Sequence, residues 1–227
     1  MKNLFFLTVL FISTFTFSQE EINTEVGDFS ELKVYDLITV KLIPSTENRV
    51  VIAGKNTNYV KTINENGVLK VRMELEERFD GNATTVTVYF KNIAIIDANE
   101  GSRIYSETEI KVSSLELKTQ EGGKIDIIVA TQNLNIKSVS GGVIDVKGTT
   151  QRQDININSG GTYEAKDLIS KEAYVNVTAG GSTTIFATNI VDAKVTAGGN
   201  ITVYGNPKDV KKKKLAGGKI EIVKTKN

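Results

Sequence analysis

The 227-residue chain contains no cysteine, no histidine and no tryptophan, and only two prolines, Pro44 and Pro207. Without cysteine there is no disulfide framework, no thiolate metal site and no lipidation site beside a leader cleavage point. Without histidine the commonest general base and the commonest metal ligand are both missing. The serines sit mainly at corners and turns, with no base beside them to make a nucleophile. Without tryptophan, sugar stacking on aromatic rings falls to the scattered tyrosines. The charge balance is just as plain, at 28 basic against 27 acidic residues. Such balance gives no electrostatic reason for nucleic acid or anionic lipid as partner.

What is present begins with a leader. Met1 and Lys2 precede an apolar stretch from Leu4 to Phe17, and polar character starts at Ser18-Gln19-Glu20. This is the layout of a secretory signal peptide, with cleavage expected after Ser18. A membrane-spanning helix needs about 20 apolar residues. This stretch is shorter and interrupted by Thr8, Ser13, Thr14 and Thr16. The expectation is export of residues 19–227 to the periplasm, the outer-membrane surface or the medium, with no transmembrane segment in the mature chain. Nothing between its ends reads as a linker, so one domain is expected.

The mature part repeats. Glycine pairs stand at Gly122-Gly123, Gly141-Gly142, Gly160-Gly161, Gly180-Gly181, Gly198-Gly199 and Gly217-Gly218, with Gly101-Ser102 as an imperfect earlier member. The first glycines are 21, 19, 19, 20, 18 and 19 residues apart. Ahead of each pair the residues alternate with period two, as strands do. The inward set is Leu115, Leu117, Thr119; Leu134, Ile136, Ser138; Gln153, Ile155, Ile157; Ala173, Val175, Val177; and Val191, Ala193, Val195. A second short strand follows each pair, carrying inward Ile125 and Ile127, Ile144 and Val146, Tyr163 and Ala165, Thr183 and Ile185, Ile201 and Val203, and Ile220 and Ile222. A small residue precedes most pairs, as expected of a corner with room for little else.

A unit of about 19 residues cannot close a core alone, but stacked on copies of itself it can. The predicted fold is therefore all-β: a right-handed parallel β-helix, or solenoid, of roughly 19-residue coils. An antiparallel sandwich explains the alternation equally well but not the repeated corner chemistry. Residues 99–227 are assigned to regular coils and 19–98 to wider, irregular coils plus a cap. Strands are expected at Phe29 to Val34, Ile38 to Leu42, Arg49 to Ala53, Val68 to Met73, Thr85 to Phe90 and Ile93 to Ile96, with Glu74 to Asp80 as a protruding loop. The four lysines Lys211 to Lys214 read as a charged guard on a terminal strand rather than a patch for anionic polysaccharide.

Several stretches resemble a known family. They are Phe29-Ser30-Glu31-Leu32-Lys33-Val34, the Val40-Lys41-Leu42 and Val50-Val51-Ile52 strands, Gly67-Val68-Leu69, and Asp97-Ala98-Asn99-Glu100-Gly101-Ser102 ahead of the Gly-Gly coils. Together they resemble the putative auto-transporter adhesin family with a head GIN domain. The resemblance implies an exported or surface protein of Gram-negative bacteria with a β-helical fold, and it brings no catalytic motif.

Two surface features are candidates for chemistry. Asp126, Asp145 and Glu164 would stack on the outer face of successive coils about 4.8 Å apart, close to the ~5 Å carboxyl separation of retaining glycosidases. The same ladder could hold calcium through oxygen ligands. A flat outer face without a cleft argues for a solvated row instead, and the glycine pairs lack the fixed aspartate of calcium-binding nonapeptide repeats. Tyr174 is the outward-facing aromatic that could touch a ligand. No catalytic residue, metal or cofactor is assigned. The function expected is a secreted or cell-surface non-catalytic binding protein, an adhesin whose partner is a glycan or a cell-surface protein. The alternative is a polysaccharide lyase or hydrolase on the same scaffold.

Overall fold

The computed structural model describes residues 21–224; the predicted leader, residues 1–18, lies outside the described residues. The first half of the fold comprises β1 (Ile22–Glu25), β2 (Glu31–Val34), β3 (Thr39–Pro44), β4 (Arg49–Gly54), β5 (Val60–Glu65), β6 (Val68–Met73), β7 (Thr84–Phe90), β8 (Ile95–Ala98) and β9 (Arg103–Lys111). The second comprises β10 (Ser114–Thr119), β11 (Lys124–Ala130), β12 (Asn133–Ser138), β13 (Val143–Thr149), β14 (Arg152–Asn158), β15 (Thr162–Thr178), β16 (Ser182–Ala197), β17 (Asn200–Tyr204), β18 (Asp209–Ala216) and β19 (Lys219–Ile222). No α-helix occurs among the described residues, and three short 3-10 turns sit in the first half.

The strands form a parallel β-solenoid with about seven turns of about 19 residues. Its first ladder runs β6, β2, β8, β10, β12, β14, then the second halves of β15 and β16, then β18. Its second runs β7, β3, β9, β11, β13, then the first halves of β15 and β16, then β17 and β19. Like meets like across the coils, because a parallel ladder in register places equivalent side chains in one row. Leu117 pairs with Ile136 and Ile136 with Ile155. Every inward residue predicted ahead of the glycine pairs is buried, polar Thr119, Ser138 and Gln153 included.

Those polar residues are satisfied internally, as buried hydroxyls and amides must be. The Thr119 hydroxyl donates to Ser138 Oγ at 2.9 Å, and Ser138 donates to the Gly142 carbonyl at 2.7 Å. Tyr163, fully buried, donates to Gln153 Oε1 at 3.1 Å, and the Gln153 amide donates to Ser170 at 2.8 Å.

The corners explain the glycine pairs differently from the expectation of tight space. Left-handed backbone occurs at residue pairs 100/101, 121/122, 140/141, 159/160, 179/180, 198/199 and 217/218. Each pair centres a sharp turn of the kind that needs two positive φ angles; at Ser140-Gly141 the Gly142 amide donates back to the Val139 carbonyl at 2.9 Å. The residue before the glycine pair is therefore exposed and conformationally constrained, not squeezed: Ser140, Ser159 and Ala179 have φ of 48, 49 and 58°. At the last two corners the left-handed pair slides onto both glycines, and Ala197 and Ala216 end strands instead. The uneven glycine steps of 20 and 18 thus become 20 and 19 in the backbone. The second glycine of most pairs has another reason to exist. A Cβ on Gly123 would lie 2.1 Å from the Ala98 carbonyl oxygen of the neighbouring coil.

Residues 22–98 hold the main departure from a simple winding. Asp36 and Leu37 form one more left-handed corner in the same column, bonded to the next through Leu37 N–H and the Glu100 carbonyl at 3.1 Å. The first coil, β2–β3, has the second coil, β6–β7, on one side and the third, β8–β9, on the other. Stacking order therefore differs from chain order. Beyond β6–β7 the edges are continued by antiparallel strands: β5 on β6, and β4 then β1 on β7. At the other end no strand follows β18 and β19 among the described residues. Ile220 and Ile222 are only partly buried there, and Leu215 is 61% exposed. Lys212 and Lys214 take the register positions of buried Ala193 and Val195, which puts charge where a further coil would need apolar contact.

Candidate functional site

The predicted carboxylate row exists as a register: Asp126 pairs with Asp145 and Asp145 with Glu164, followed by Thr184, Thr202 and Glu221. Its members are not equivalent. Arg103 Nη2 stands 3.6 Å from Asp126 Oδ2. Burial raises the Asp145 carboxyl above its ordinary range, against the pull of Lys147, with Asp126 and Asp167 adding to the rise. Among the described residues no group of three or more acidic side chains is arranged to hold a metal ion.

Tyr174 lies in the outer row of the other ladder, between Asp154 and Asp192. The Arg152 guanidinium covers its ring at 4.0 Å from the centroid and is itself fixed by two hydrogen bonds to Asp154, of 2.7 and 2.8 Å. The tyrosine hydroxyl points to Glu172 at 3.3 Å. One face of the aromatic surface expected to meet a ligand is thus occupied by an arginine.

A more enclosed site lies where chain order and stacking order part. The loop 74–80, expected to protrude, has mostly exposed side chains, and between it, β6 and the corner after β2 lies a pocket of about 310 Å³. It is lined by Tyr35, Asp36, Arg72, Leu75, Arg78 and Glu100, among others. The loop is held at its start by the Glu74 amide on the Tyr59 carbonyl, 2.8 Å, and by a Lys61–Glu74 ion pair. At its end Gly81 lies so close to the Asp36 carbonyl oxygen that a Cβ would be 2.3 Å from it. Only glycine fits against that corner.

The electrostatics inside the pocket are uneven. Asp36 is 3% exposed. Its Oδ2 accepts the Met73 backbone N–H at 3.0 Å, while Oδ1 accepts no hydrogen bond and has Arg78 Nε 3.9 Å away. Arg78 also reaches Glu100 at 3.3 Å. Burial raises the Glu100 carboxyl, the neighbouring Asp36 raises it further, and Arg78 opposes them. Burial likewise raises the Tyr35 phenol. Arg72, at the rim, is exposed and its side chain makes no ion pair among the described residues. The loop also shows large apolar surface, Leu75 at the pocket wall being 69% exposed and Phe79 beyond it 53%. The one local signal in the sequence was this: two large apolar residues inside an otherwise charged stretch.

Stacked coils, flat outer rows and a cleft beside a loop make up a parallel β-solenoid. The chain belongs to the family described as putative auto-transporter adhesin, head GIN domain, whose model matches residues 28–207. Solved structures share the fold. A putative adhesin from Bacteroides fragilis superposes with a TM-score of 0.84 at 19% identity, covering 92% of this chain and 98% of that one. A putative lipid binding protein from Parabacteroides distasonis gives 0.71 at 20% identity, with coverage of 92% and 98%. A putative adhesin from Parabacteroides merdae gives 0.68 at 20%, with coverage of 92% and 97%. At such identities the likeness establishes fold alone. No curated protein matches the chain. No helix among the described residues is long and apolar enough to cross a membrane.

Proposed function

We propose that the protein is exported by its leader and, from residue 19 onward, works at the cell envelope as one non-catalytic binding domain, an adhesin holding a rigid solenoid face against a glycan or cell-surface protein. The observation that carries this reading is the stiffness of the presenting surface: successive coils locked in register, with buried hydroxyl and amide groups paired between them. A rigid surface loses little conformational entropy on binding. The family description and the descriptions of two structural neighbours point the same way.

Proteolysis of intact cells, with the released fragments probed for this chain, tests the location. Cleavage outside the outer membrane supports adhesion, and full protection argues against it. A glycan array tests the activity. The enzyme alternative draws on the Asp126–Asp145–Glu164 row, which lies straight along a face rather than converging on a cleft. Polysaccharide depolymerisation that disappears in Asp145→Asn would reinstate it.

A further inference from the structure

We propose that the cleft beneath loop 74–80 is a glycan subsite that takes a sugar unit bearing a carboxylate, with Arg72 pairing the carboxylate and Asp36 accepting the sugar hydroxyls. The proposal rests on the glycan-binding reading above and gives it a place and a ligand class.

The pocket carries two unmet demands of opposite kind. At its inner end a carboxylate oxygen, Asp36 Oδ1, is buried without a donor. A buried acceptor left unpaired is costly, so a ligand that brings an O–H to it recovers that cost on binding. At the rim, Arg72 offers a planar set of donors with no acceptor among the described residues, and a guanidinium favours a carboxylate, which it binds through two parallel hydrogen bonds. One ligand must therefore carry hydroxyl donors at one end and an anion at the other.

Simpler ligands meet only half of this. Inorganic phosphate at neutral pH carries its one or two donors on the same small charged group and would bring that charge toward Asp36 and Glu100. A neutral sugar serves Asp36 and leaves Arg72 idle. A metal cation would meet Arg78, which already faces both carboxylates. An acidic sugar meets both demands, and the half-buried Tyr35 and the exposed Leu75 side chain give its ring apolar walls. The volume, about 310 Å³, is at the small end of ligand pockets, which run from roughly 300 to 1,000 Å³, and so suits a single unit of a chain rather than a long segment.

The two ends can be tested separately by titration calorimetry with tri-galacturonic acid, its fully methyl-esterified form and inorganic phosphate. The acid is expected to bind, the ester to bind about tenfold more weakly, as a charge-assisted hydrogen bond requires, and phosphate not to compete. Arg72→Gln, on an exposed strand position, should weaken the acid about tenfold and leave the ester unchanged. Glu100→Gln gives Asp36 a permanent amide donor in place of the sugar hydroxyl and should weaken acid and ester alike. Equal binding of acid and ester, no binding of either, or unchanged affinities in either variant overturns the proposal. Array binding that persists undiminished in both variants removes the cleft and leaves the adhesin reading standing. An array with no bound glycan at all, from a protein that also fails to bind cells, removes both.

Discussion

Replacing either glycine of one pair by alanine should separate the two reasons for that pair. Gly122 has φ of 75°, and a Cβ there would meet only Gly101 Cα, at 4.0 Å. Its substitution costs the left-handed penalty alone, about 1–2 kcal/mol. Gly123 is outside the left-handed region, but its Cβ would stand 2.1 Å from the Ala98 carbonyl oxygen and 2.5 Å from the carbonyl carbon. Contacts below 3.0 Å force movement, so the two coils must part by about 0.9 Å at that point. The same oxygen accepts the Gln120 N–H at 3.1 Å, and a gap of that size breaks the bond. Losing it with the acceptor still buried costs about 1–3 kcal/mol, and overpacking adds about 1–3 more. Gly123→Ala should therefore lose about 2–6 kcal/mol against about 1–2 for Gly122→Ala. Urea unfolding followed by far-ultraviolet circular dichroism reads the difference as a midpoint about 1 M lower for Gly123→Ala than for its neighbour. Equal midpoints, or the reverse order, would refute the claim that the second glycine exists because backbones of adjacent coils meet.

Other consequences follow from burial and charge. Ile136→Ala, between Leu117 and Ile155 in the inner row, should cost about 2–5 kcal/mol, whereas Ile220→Ala on the uncovered last coil should cost about 1 or less; comparable losses in urea titrations would contradict an open end at β19. Burial raises the carboxyls of Glu100, Asp97 and Asp145, each against cationic neighbours. A raised value in the folded state means that folding takes up protons just above the ordinary carboxylate range, so these groups add stability as pH falls through that window. Glu116 runs the other way: burial raises it, but the Lys137 hydrogen bond and Lys118 outweigh burial and lower it, so its contribution is lost only as pH falls below the ordinary range. The thermal midpoint should hold or rise between about pH 7 and pH 5. A calorimetric midpoint that drops across that interval would show that the buried carboxylates are better stabilised as anions than the structure indicates.

The regular coils were legible because their information is local. Leu115, Leu134 and Ala173 are buried for the same reason that they alternate with Glu116, Asn135 and Tyr174, and the repeat brings its own register. The corners were legible in place but not in cause, since a serine before a glycine pair looks alike whether space or a positive φ selects it. The order of the first coils could not be read, because β2 pairs as well with β6 as with β8 and its pattern is the same for either neighbour. Strands β1 and β5 escaped notice because Ile22–Glu25 and Val60–Glu65 are short, mostly polar edges, half-buried or exposed apart from Val60. The cleft was hidden for a related reason. Asp36, Arg72, Arg78 and Glu100 are spread over 65 residues, and what brings them together is the insertion of the first coil between the second and the third.

That insertion determines where the loop lands and so where any ligand binds, and the absence of cysteine makes it measurable with spin labels. Nitroxides at exposed Thr85 and Asn200, and separately at Thr39 and Asn200, report heights along the stack by pulsed electron paramagnetic resonance. Thr39 reaches Asn200 through Arg103, Lys124, Val143, Thr162 and Ser182, six steps, and Thr85 lies one step beyond Thr39. At about 4.8 Å per step the distances should be roughly 29 Å from residue 39 and 34 Å from residue 85. Coils wound in chain order would put residue 85 nearer to residue 200 than residue 39 is, and that reversal would contradict the account.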